Sequence, residues 1–530
     1  MGCEIAVIGG GHNGLVAAAL LAGRGLSVRV FERRERLGGA CVTEELWPGF
    51  RTSRAAYVVG LLRPAVLREL DLGRHGLVLL PRDPASHTPL PDGRRLLLGT
   101  DPAANAHSIA QFSPRDAERY PAYEALLDRL ACSIEPWLDA SPPDPIRPRV
   151  GDLGRLARVG WALLRLRGEL PRAAQLLLGS ARAALEGWFE SEPLRGTLAT
   201  DSVIGAWAPP SAPGTGYVLL HHVMGETGGA RGVWAYVRGG MGALSEALAA
   251  AAREAGAEIE TEAPVRRVLL RDGRAAGVEL DDGRVVEAET VVSNADPVRT
   301  LLGLVGPDAL PTDVVRDLDA LDFRSGSLKL NLALGALPRF VGTTGNAAEP
   351  GPLHRGTIHV GARTLEELEE SFEAARRGRL PDRPMIELTL PSAIDDSLAP
   401  PGRHVASLFV QHVPFAPEET TWQAARESFG DRCLELVDEV APGFSASVLH
   451  REVLAPPDLE RVFALTGGNL FHGAMTLDRL LFLRPVPGLA PYRTPIPGLY
   501  LCGAGTHPGG GVMGACGRNA AREILRDLNR

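Results

Sequence analysis

The stretch CEIAVIGGGHNG at residues 3–14 decides the fold. Its first half is a short apolar run, typical of a buried parallel strand, and its second half carries G-x-G-x-x-G at Gly9, Gly11 and Gly14. The first glycine allows a tight turn, the second lets a pyrophosphate approach the backbone, and the third lets the next helix pack closely on the strand. The helix N-terminus then offers free N–H groups to the phosphates.

The residues that follow complete a βαβ unit. Residues 15–22 have the pattern of a helix, and residues 27–31 have that of a second strand, which ends at Glu32. An acid at this place accepts hydrogen bonds from the adenosine ribose of a dinucleotide. Glycine-rich turns also occur for purely steric reasons, but here both strands, the helix and the acid fall at the required spacing. We therefore predict dinucleotide binding.

A second glycine pair narrows the choice of dinucleotide. A short charged stretch separates Glu32 from Gly38 and Gly39. This pattern resembles the extended FAD fingerprint of the glutathione-reductase-type flavoproteins. The resemblance implies that the pair lets the chain pass close to the FAD pyrophosphate and ribityl chain. A simple NAD dehydrogenase has no need of this pair, so FAD is the expected cofactor.

Composition and charge exclude several classes of protein. The chain has 530 residues and a net charge of −8, so we expect two interleaved domains and no nucleic-acid partner. Its six cysteines form no C-x-x-C pair, which excludes a thioredoxin-like redox pair and argues against a zinc site. No apolar run reaches transmembrane length, and the first strand begins too early for a signal peptide. We expect a bacterial cytoplasmic protein with a small-molecule substrate and no metal, and the oligomeric state is left open.

The arginine-rich segment 147–185 allows two interpretations. It is amphipathic and helical in pattern, with Trp161 and several leucines on its apolar faces. A basic amphipathic helix can lie on a membrane surface, which would make the protein peripheral to the membrane. A solvated arginine face over a helical cap is the favoured alternative, because this chain uses arginine almost everywhere for its basic residues.

Two further segments are predicted to complete the dinucleotide domain. Residues 234–297 read as a helix, a β-meander and a return strand that ends near Asn294. Residues 498–505 read as a strand that runs into a glycine-rich turn and then into a final helix over 512–528. Such a turn at a helix N-terminus again offers N–H donors to an anionic group.

These segments together resemble the phytoene-desaturase-like flavoproteins, in the wider class that includes the amine oxidases. The resemblance is closest to a subtype named after the pyridine nucleotide-disulfide oxidoreductases. The residues that carry it are 9–18, 38–45, 219–225, 239–244 and 499–521. It implies an α/β fold in which a Rossmann-like FAD-binding domain is assembled from three chain segments and interleaved with a mixed α+β substrate or cap domain. The implied bounds are 1–75, 225–305 and 485–530 for the first domain, and 76–224 and 306–484 for the second.

The resemblance also implies which residues contact FAD. Val265 would hold the adenine through its backbone, and Asn294 would lie where the return strand passes the cofactor. The full implied set is Gly9, Gly11, His12, Asn13, Gly14, Glu32, Arg33, Gly38, Gly39, Ala40, Val265, Asn294, Gly503, Gly505, Gly511 and Val512.

Two departures from the family pattern limit what is implied. Carotenoid desaturases usually carry Asp-x-Gly-Pro after the Gly-Phe step, whereas Gly49-Phe50 is followed here by residues 51–54, which read RTSR. This argues against a carotenoid substrate. There is also no second G-x-G-x-x-G for a nicotinamide domain.

Two residues are candidates for catalysis. Lys329 is the one lysine among 56 basic residues and lies on an apolar strand, in a register that resembles the amine-oxidase strand whose lysine reaches flavin N5 through a water. The alternative is a chance lysine whose ammonium reaches the surface. His507 is the histidine that the resemblance places beside the flavin. No Ser-His-Asp set, paired acids or metal cluster rivals these.

The implied reaction is transfer of a hydride from a substrate C–H to flavin N5, on an apolar or amphipathic small molecule. The cofactor supplies the chemistry, and the protein binds, orients and dries the site. The alternative function is that of a flavin-bound binding or regulatory protein, such as a lipid or isoprenoid escort or a protein-interaction partner.

Overall fold

The computed structural model describes residues 2–529 apart from 144–153, 155, 158–159, 162–163, 165–167, 228–229, 344–348 and 362. Within them the chain forms an α/β fold with two seven-stranded sheets. The strands are β1 Cys3–Ile8, β2 Val28–Phe31, β3 Thr43–Trp47, β4 Phe50–Ser53, β5 Leu79–Pro81, β6 Ser86–Pro89, β7 Arg95–Leu98, β8 Glu226–Thr227, β9 Ala230–Arg231, β10 Ala235–Val237, β11 Glu258–Glu260, β12 Val265–Arg271, β13 Arg274–Leu280, β14 Val285–Ser293, β15 Leu328–Leu334, β16 Thr357–Val360, β17 Met385–Thr389, β18 His404–Gln411, β19 Val448–Leu454 and β20 Leu499–Leu501.

The helices cover both sheets and form a cap beside them. They are α1 His12–Ala22, α2 Pro64–Glu69, α3 Pro102–Ala110, α4 Pro114–Leu138, α5 Leu170–Leu178, α6 Ala181–Trp188, α7 Glu192–Ala199, α8 Thr215–Val223, α9 Met241–Glu254, α10 Thr312–Asp319, α11 Leu365–Arg376, α12 Trp422–Asp438, α13 Phe444–Ser447, α14 Pro456–Phe463 and α15 Ala515–Asp527. A short 3₁₀ turn, Thr200–Ser202, joins α7 to the rest of the cap.

The first sheet contains the Rossmann-like βαβ unit that the N-terminal stretch predicts. Its order is β11-β2-β1-β14-β13-β12, and β20 also pairs with β14. The pairs that involve β1, β2, β11 and β20 are parallel, whereas β12, β13 and the start of β14 form an antiparallel meander. Residues 5–8 are buried because one face of the sheet, with Ile5 and Val7, packs against helices, and the other, with Ala6 and Ile8, packs against the β12–β14 meander. All strands of this sheet lie within residues 1–75, 225–305 and 485–530.

The second sheet lies beside the first. Its order is β19-β15-β18-β17-β16-β6-β7, and its pairs are antiparallel apart from β16 with β6. All residues of β15 and β18 are buried, which explains why β15 shows little alternation in sequence. The strands of this sheet come from residues 76–224 and 306–484.

Helix α1 is packed between the sheet and α15. A Cβ on Gly517 of α15 would lie 2.0 Å from the carbonyl oxygen of Asn13, so only glycine permits this approach. The alanines of α1 are buried and serve the same close packing. The first and last helices described thus lie against each other, which brings the C-terminal loop to the N-terminal one.

Segment 147–185 lies partly outside the described residues. Of the part that is described, α5 buries Ala173 and Leu176 and leaves Leu170 and Leu178 42% and 62% exposed. No described helix is long and apolar enough to cross a membrane. Membrane contact through this segment and the cytoplasmic location stay predictions.

Candidate active site

One large cavity joins the two sheets and the helical cap. Its volume is about 760 Å³, within the range that ligand sites occupy. The dinucleotide loop, the second glycine pair and the C-terminal loop line one part of it, and residues of β17, β18 and the cap line another. A cofactor and a second molecule can therefore meet in one cavity.

The N-terminal loop offers an anion site to the cavity. Helix α1 begins at His12, its N-cap residue is Gly11, and no side chain caps it. Gly9, Gly11, His12 and Asn13 all line the cavity. The unpaired N–H groups of the first turn and the positive dipole end fit a pyrophosphate. Burial and the neighbouring His472 lower the pKa of His12 to about 4, so its imidazole is neutral at pH 7.

Glu32 is held by two backbone amides. Its Oε2 accepts a hydrogen bond from the Gly10 N–H and its Oε1 accepts one from the Arg34 N–H, both at 2.9 Å. The side chain is buried but lines the cavity. Because each carboxylate oxygen accepts more than one hydrogen bond, Glu32 keeps acceptor sites for the two ribose hydroxyls.

The second glycine pair lies against the first loop. The Gly38 N–H donates to the Gly10 carbonyl at 2.8 Å, and Gly38 has a φ of +111°. A Cβ on Gly38 would lie 2.2 Å from the Cys41 carbonyl oxygen. Gly39 has a φ of +59° and lines the cavity with Ala40. The pair thus brings the chain to the cavity without filling it.

The remaining predicted cofactor residues divide into two groups. Arg33, Val265, Asn294, Gly511 and Val512 line the cavity.

Gly14, Gly503 and Gly505 do not line it. A Cβ on Gly14 would lie 2.3 Å from the Gly9 carbonyl oxygen, and one on Gly503 would lie 2.5 Å from that of Asn294. These glycines permit the close packing that places the loops, and the contact of Gly503 and Gly505 with FAD stays a prediction.

Arg299 is a residue of the FAD end that sequence reasoning missed. It lines the cavity, and its buried Nε has no hydrogen-bond partner among the described residues. The Asp296 Oδ2 lies 3.7 Å away. A buried N–H that faces a cavity without an acceptor fits a bound anionic cofactor, because such a group is costly to leave unpaired.

Lys329, predicted to be catalytic, does not line the cavity. Its ammonium donates to the Ser407 hydroxyl and lies 3.9 Å from the ring centroid of Tyr57, which does line it. The side chain is 2% exposed, so the alternative of a surface ammonium is wrong, whereas the catalytic role stays a prediction. Burial lowers the pKa of Lys329 well below its usual value, partly opposed by Glu387. The fully buried strand β15 holds the lysine behind Tyr57.

His507, the second predicted catalytic residue, also lies outside the cavity lining. Its Nε2 is 2.8 Å from the Trp137 carbonyl oxygen, and its own carbonyl accepts a hydrogen bond from the Tyr492 hydroxyl. Burial lowers its pKa to about 4. His507 therefore ties the C-terminal loop to α4, and its catalytic role stays a prediction.

Four polar side chains that no motif marks line the cavity on the side of the second sheet. They are Tyr57, Arg82, Asp201 and Glu387. The Tyr57 hydroxyl donates to the Glu387 carboxylate, and Arg82 Nη1 donates to Thr357 Oγ1 at 2.8 Å. Their sequence positions are 57, 82, 201 and 387, so only the fold brings them together. The one local signal is that Tyr57 closely follows the second glycine pair.

The described residues show no cluster of histidine, cysteine and acidic side chains that could hold a metal ion. The parts of the site fit FAD: an uncapped helix N-terminus, a ribose-binding acid, a second glycine pair and a second loop from the far end of the chain. Fold and site together define a Rossmann-type FAD-dependent oxidoreductase.

Comparison with known proteins gives the family. Residues 14–334 match the family of flavin containing amine oxidoreductases, and the chain belongs to it. It is 47% identical to pyridine nucleotide-disulfide oxidoreductase domain-containing protein 2 of Mus musculus, over 99% of this chain and 94% of that protein. It is 31% identical to hydroxyneurosporene desaturase of Cereibacter sphaeroides, over 99% and 98% of the two chains.

A solved structure agrees on the fold. Cyclohexylamine oxidase from Brevibacterium oxydans aligns over 100% of both chains with a TM-score of 0.59 and 19% identity. The predicted resemblance, the α/β fold, the enzyme class and the cofactor FAD are thereby confirmed.

Proposed function

We propose that this enzyme oxidises an apolar or amphipathic small molecule by removing a hydride from one of its C–H bonds to flavin N5. The observation that carries the proposal is that the cavity with the FAD-binding loops continues along apolar side chains of the cap and the second sheet. These are Leu98, Leu127, Leu198, Ile204, Leu219, Phe409 and Phe471. Such walls favour an apolar body by removing it from water.

Bound FAD would supply the hydride acceptor. The chain's own residues would do the rest. Gly9, Gly11 and Glu32 would hold the dinucleotide, and the apolar walls would displace water from around the substrate. Backbone hydrogen bonds fix the cavity walls relative to the cofactor loops. The N–H of Ala56, the residue before Tyr57, donates to the Ala40 carbonyl at 2.9 Å. Such rigid placement is what close approach of the reacting atoms requires.

The test is anaerobic reduction of the bound flavin. Amines, isoprenoid hydrocarbons and hydroxy compounds of similar size are mixed with the holoenzyme without oxygen, and bleaching of the visible flavin band is followed. We expect one class to bleach the flavin in a saturable way. Dithionite serves as the control that the flavin is reducible. If dithionite reduces the flavin and none of the three classes does, the proposal fails.

A further inference from the structure

Asp201 differs from Glu387 and Arg82, two charged groups that line the cavity near it. The Glu387 carboxylate already accepts a hydrogen bond from the Tyr57 hydroxyl, and Arg82 donates to Thr357. The Asp201 carboxyl also lines the cavity, yet no side chain of the described residues forms a hydrogen bond or ion pair with it. It is therefore a carboxyl that faces the cavity and is left for a ligand.

The surroundings of Asp201 are fixed by neighbouring elements. Its 3₁₀ turn packs on α8, and its backbone carbonyl accepts a hydrogen bond from His222, which stacks on Trp234 with ring centroids 5.9 Å apart. The titratable groups that face the carboxyl are Tyr57, Arg82, Tyr120, Tyr123 and Glu387. Burial and the like charge of Glu387 raise the pKa of Asp201 to about 7, against a lowering by Arg82.

We propose that Asp201 binds a hydrogen-bond-donating head group of the substrate and accepts its proton when the adjacent carbon is oxidised. This rests on the proposed function and narrows it to molecules whose reactive carbon carries an O–H or N–H. The C–H bond breaks and its electron pair leaves as hydride to the flavin. The O–H or N–H bond breaks and its proton goes to the carboxylate, so a C=O or C=N bond forms.

The charge and chemistry of the pocket favour this substrate class over a hydrocarbon. A carboxylate withdrawn from water is costly unless a hydrogen-bond donor reaches it. A hydrocarbon has no donor and would leave the Asp201 carboxylate without a hydrogen bond from the ligand. A base that titrates near working pH is also suited to general base catalysis. Leu127, Leu198 and Ile204 line the same cavity and would receive the apolar body.

The first experiment measures binding. Holoenzyme is titrated with n-octanol, n-octylamine and heptyl methyl ether, which has the same number of heavy atoms and no donor, and the change in flavin absorption is followed. We expect the alcohol or the amine to bind at least about tenfold more tightly than the ether, and Asp201→Asn to remove that difference. Equal binding of all three, or an unchanged preference in Asp201→Asn, overturns the proposal. Whichever of n-octanol and n-octylamine binds more tightly identifies the head group as a hydroxyl or an amine.

The second experiment measures flavin reduction. With a reducing alcohol or amine, Asp201→Asn should keep its FAD and slow anaerobic reduction by about 10²–10⁴-fold. The rise of the wild-type rate with pH through about 7 should be absent in the variant. Asp478→Asn makes the same change at an exposed carboxyl outside the cavity and should match the wild type.

The outcomes separate the two proposals. A variant that keeps FAD and reduces as fast as the wild type overturns the role of Asp201 but leaves the proposed function standing. Reduction of the flavin by hydrocarbons alone likewise overturns the role of Asp201 and leaves the proposed function standing. Donor-dependent binding at Asp201 without reduction by any class overturns the proposed function, supports the binding role of Asp201 and overturns its role as proton acceptor.

Discussion

Glu32 is buried between the loops around it and the cavity, so one side chain serves both. It satisfies two backbone N–H groups of the loops around it and keeps acceptor capacity toward the cavity. A change at this residue therefore disturbs the loop and the cofactor contact together.

We expect Glu32→Ala to weaken FAD binding by about 10- to 100-fold, because charge-assisted hydrogen bonds contribute about 1.5–3 kcal/mol each. The measurement is the FAD dissociation constant after reconstitution of the apoprotein. Glu35→Ala removes an exposed acid of the same stretch and should leave the constant unchanged. A Glu32→Ala protein that retains FAD like the wild type contradicts the assigned contact.

The raised pKa of Asp201 makes the stability of the folded protein depend on pH. Its pKa is about 7 in the folded protein against an ordinary value of 3.8. The folded state therefore holds the proton that the unfolded state releases, and this contribution is full below about 4 and lost as pH rises to about 7.

Asp201→Asn removes this pH-dependent contribution. The Tm of the variant minus the Tm of the wild type should therefore increase as the pH rises from 5 to 8. We expect a difference of about 1–3 °C at pH 8 and less at pH 5, measured by thermal unfolding. A constant difference across this range would show that the carboxyl does not titrate there.

Lys329 shows how far sequence reasoning goes at this scale. Its strand and burial follow from the apolar run around it, and β15 is present at Leu328–Leu334. The sequence does not show that Lys329 is set back from the cavity. That placement depends on Tyr57, which is distant in sequence but has its ring next to the lysine ammonium. Asp201 has no motif at all, and its role follows only from the surface it faces.

At the scale of elements, α5 and α8 pack through a glycine. A Cβ on Gly216 of α8 would lie 2.2 Å from the Leu176 carbonyl oxygen of α5. Helix α8 also presents Leu219 and His222 to the cavity. The spacing of these helices thus sets one cavity wall.

Gly216→Ala should lower the free energy of unfolding by about 1–3 kcal/mol, because the extra methyl pushes backbone against backbone. The measurement is the midpoint of denaturant unfolding. Gly187→Ala is the matched control in helix α6, where a Cβ meets no atom within 4 Å, and it should stabilise by up to about 1 kcal/mol. Equal effects of the two changes would refute the packing role of Gly216.

Elements with complete local signals could be predicted closely. Ser113 caps α4 with Pro114 at its first position, both of them ordinary helix-start signals, and the helix spans Pro114–Leu138. The final helix begins at Ala515, three residues later than expected, because Gly511 and Val512 have positive φ angles and continue the loop. A Cβ on Gly511 would lie 2.5 Å from Leu61 Cδ1, a contact with a distant part of the chain that local sequence does not record.

At the scale of the whole molecule, Arg484 joins two loops that meet near the cavity. Its guanidinium is buried and donates to the carbonyls of Phe471, Gly473, Ala474, Ala504 and Thr506. Ala504 and Phe471 line the cavity. Burial lowers the pKa of Arg484 to about 10, which leaves it charged at pH 7.

Arg484→Met should lower the free energy of unfolding by about 3 kcal/mol or more, since five buried carbonyls lose their donor. Arg484→Lys restores at most three donors, so its free energy of unfolding should lie between those of the wild type and Arg484→Met. Thermal unfolding and FAD release, followed together by flavin fluorescence, provide the measurement. Arg316→Met changes an exposed arginine and should have no effect. FAD release well below the unfolding temperature would show that the loops separate before the domains unfold.

The three-segment assembly of the first sheet could be predicted from motifs, because each segment carries glycines with a known purpose. The second sheet could not be ordered in advance, since β6 joins β16 across about 270 residues without a sequence signature.

Helix α1 and the loop at Gly511 are separated by almost the whole chain yet form one wall. A ribosome that adds 5–20 residues each second needs roughly 25–100 s to pass from one to the other. During that time the apolar face of α1 lacks its partner α15, and nascent chains have only part of the dinucleotide pocket. We therefore expect FAD capture to follow translation, once both ends of the chain have met.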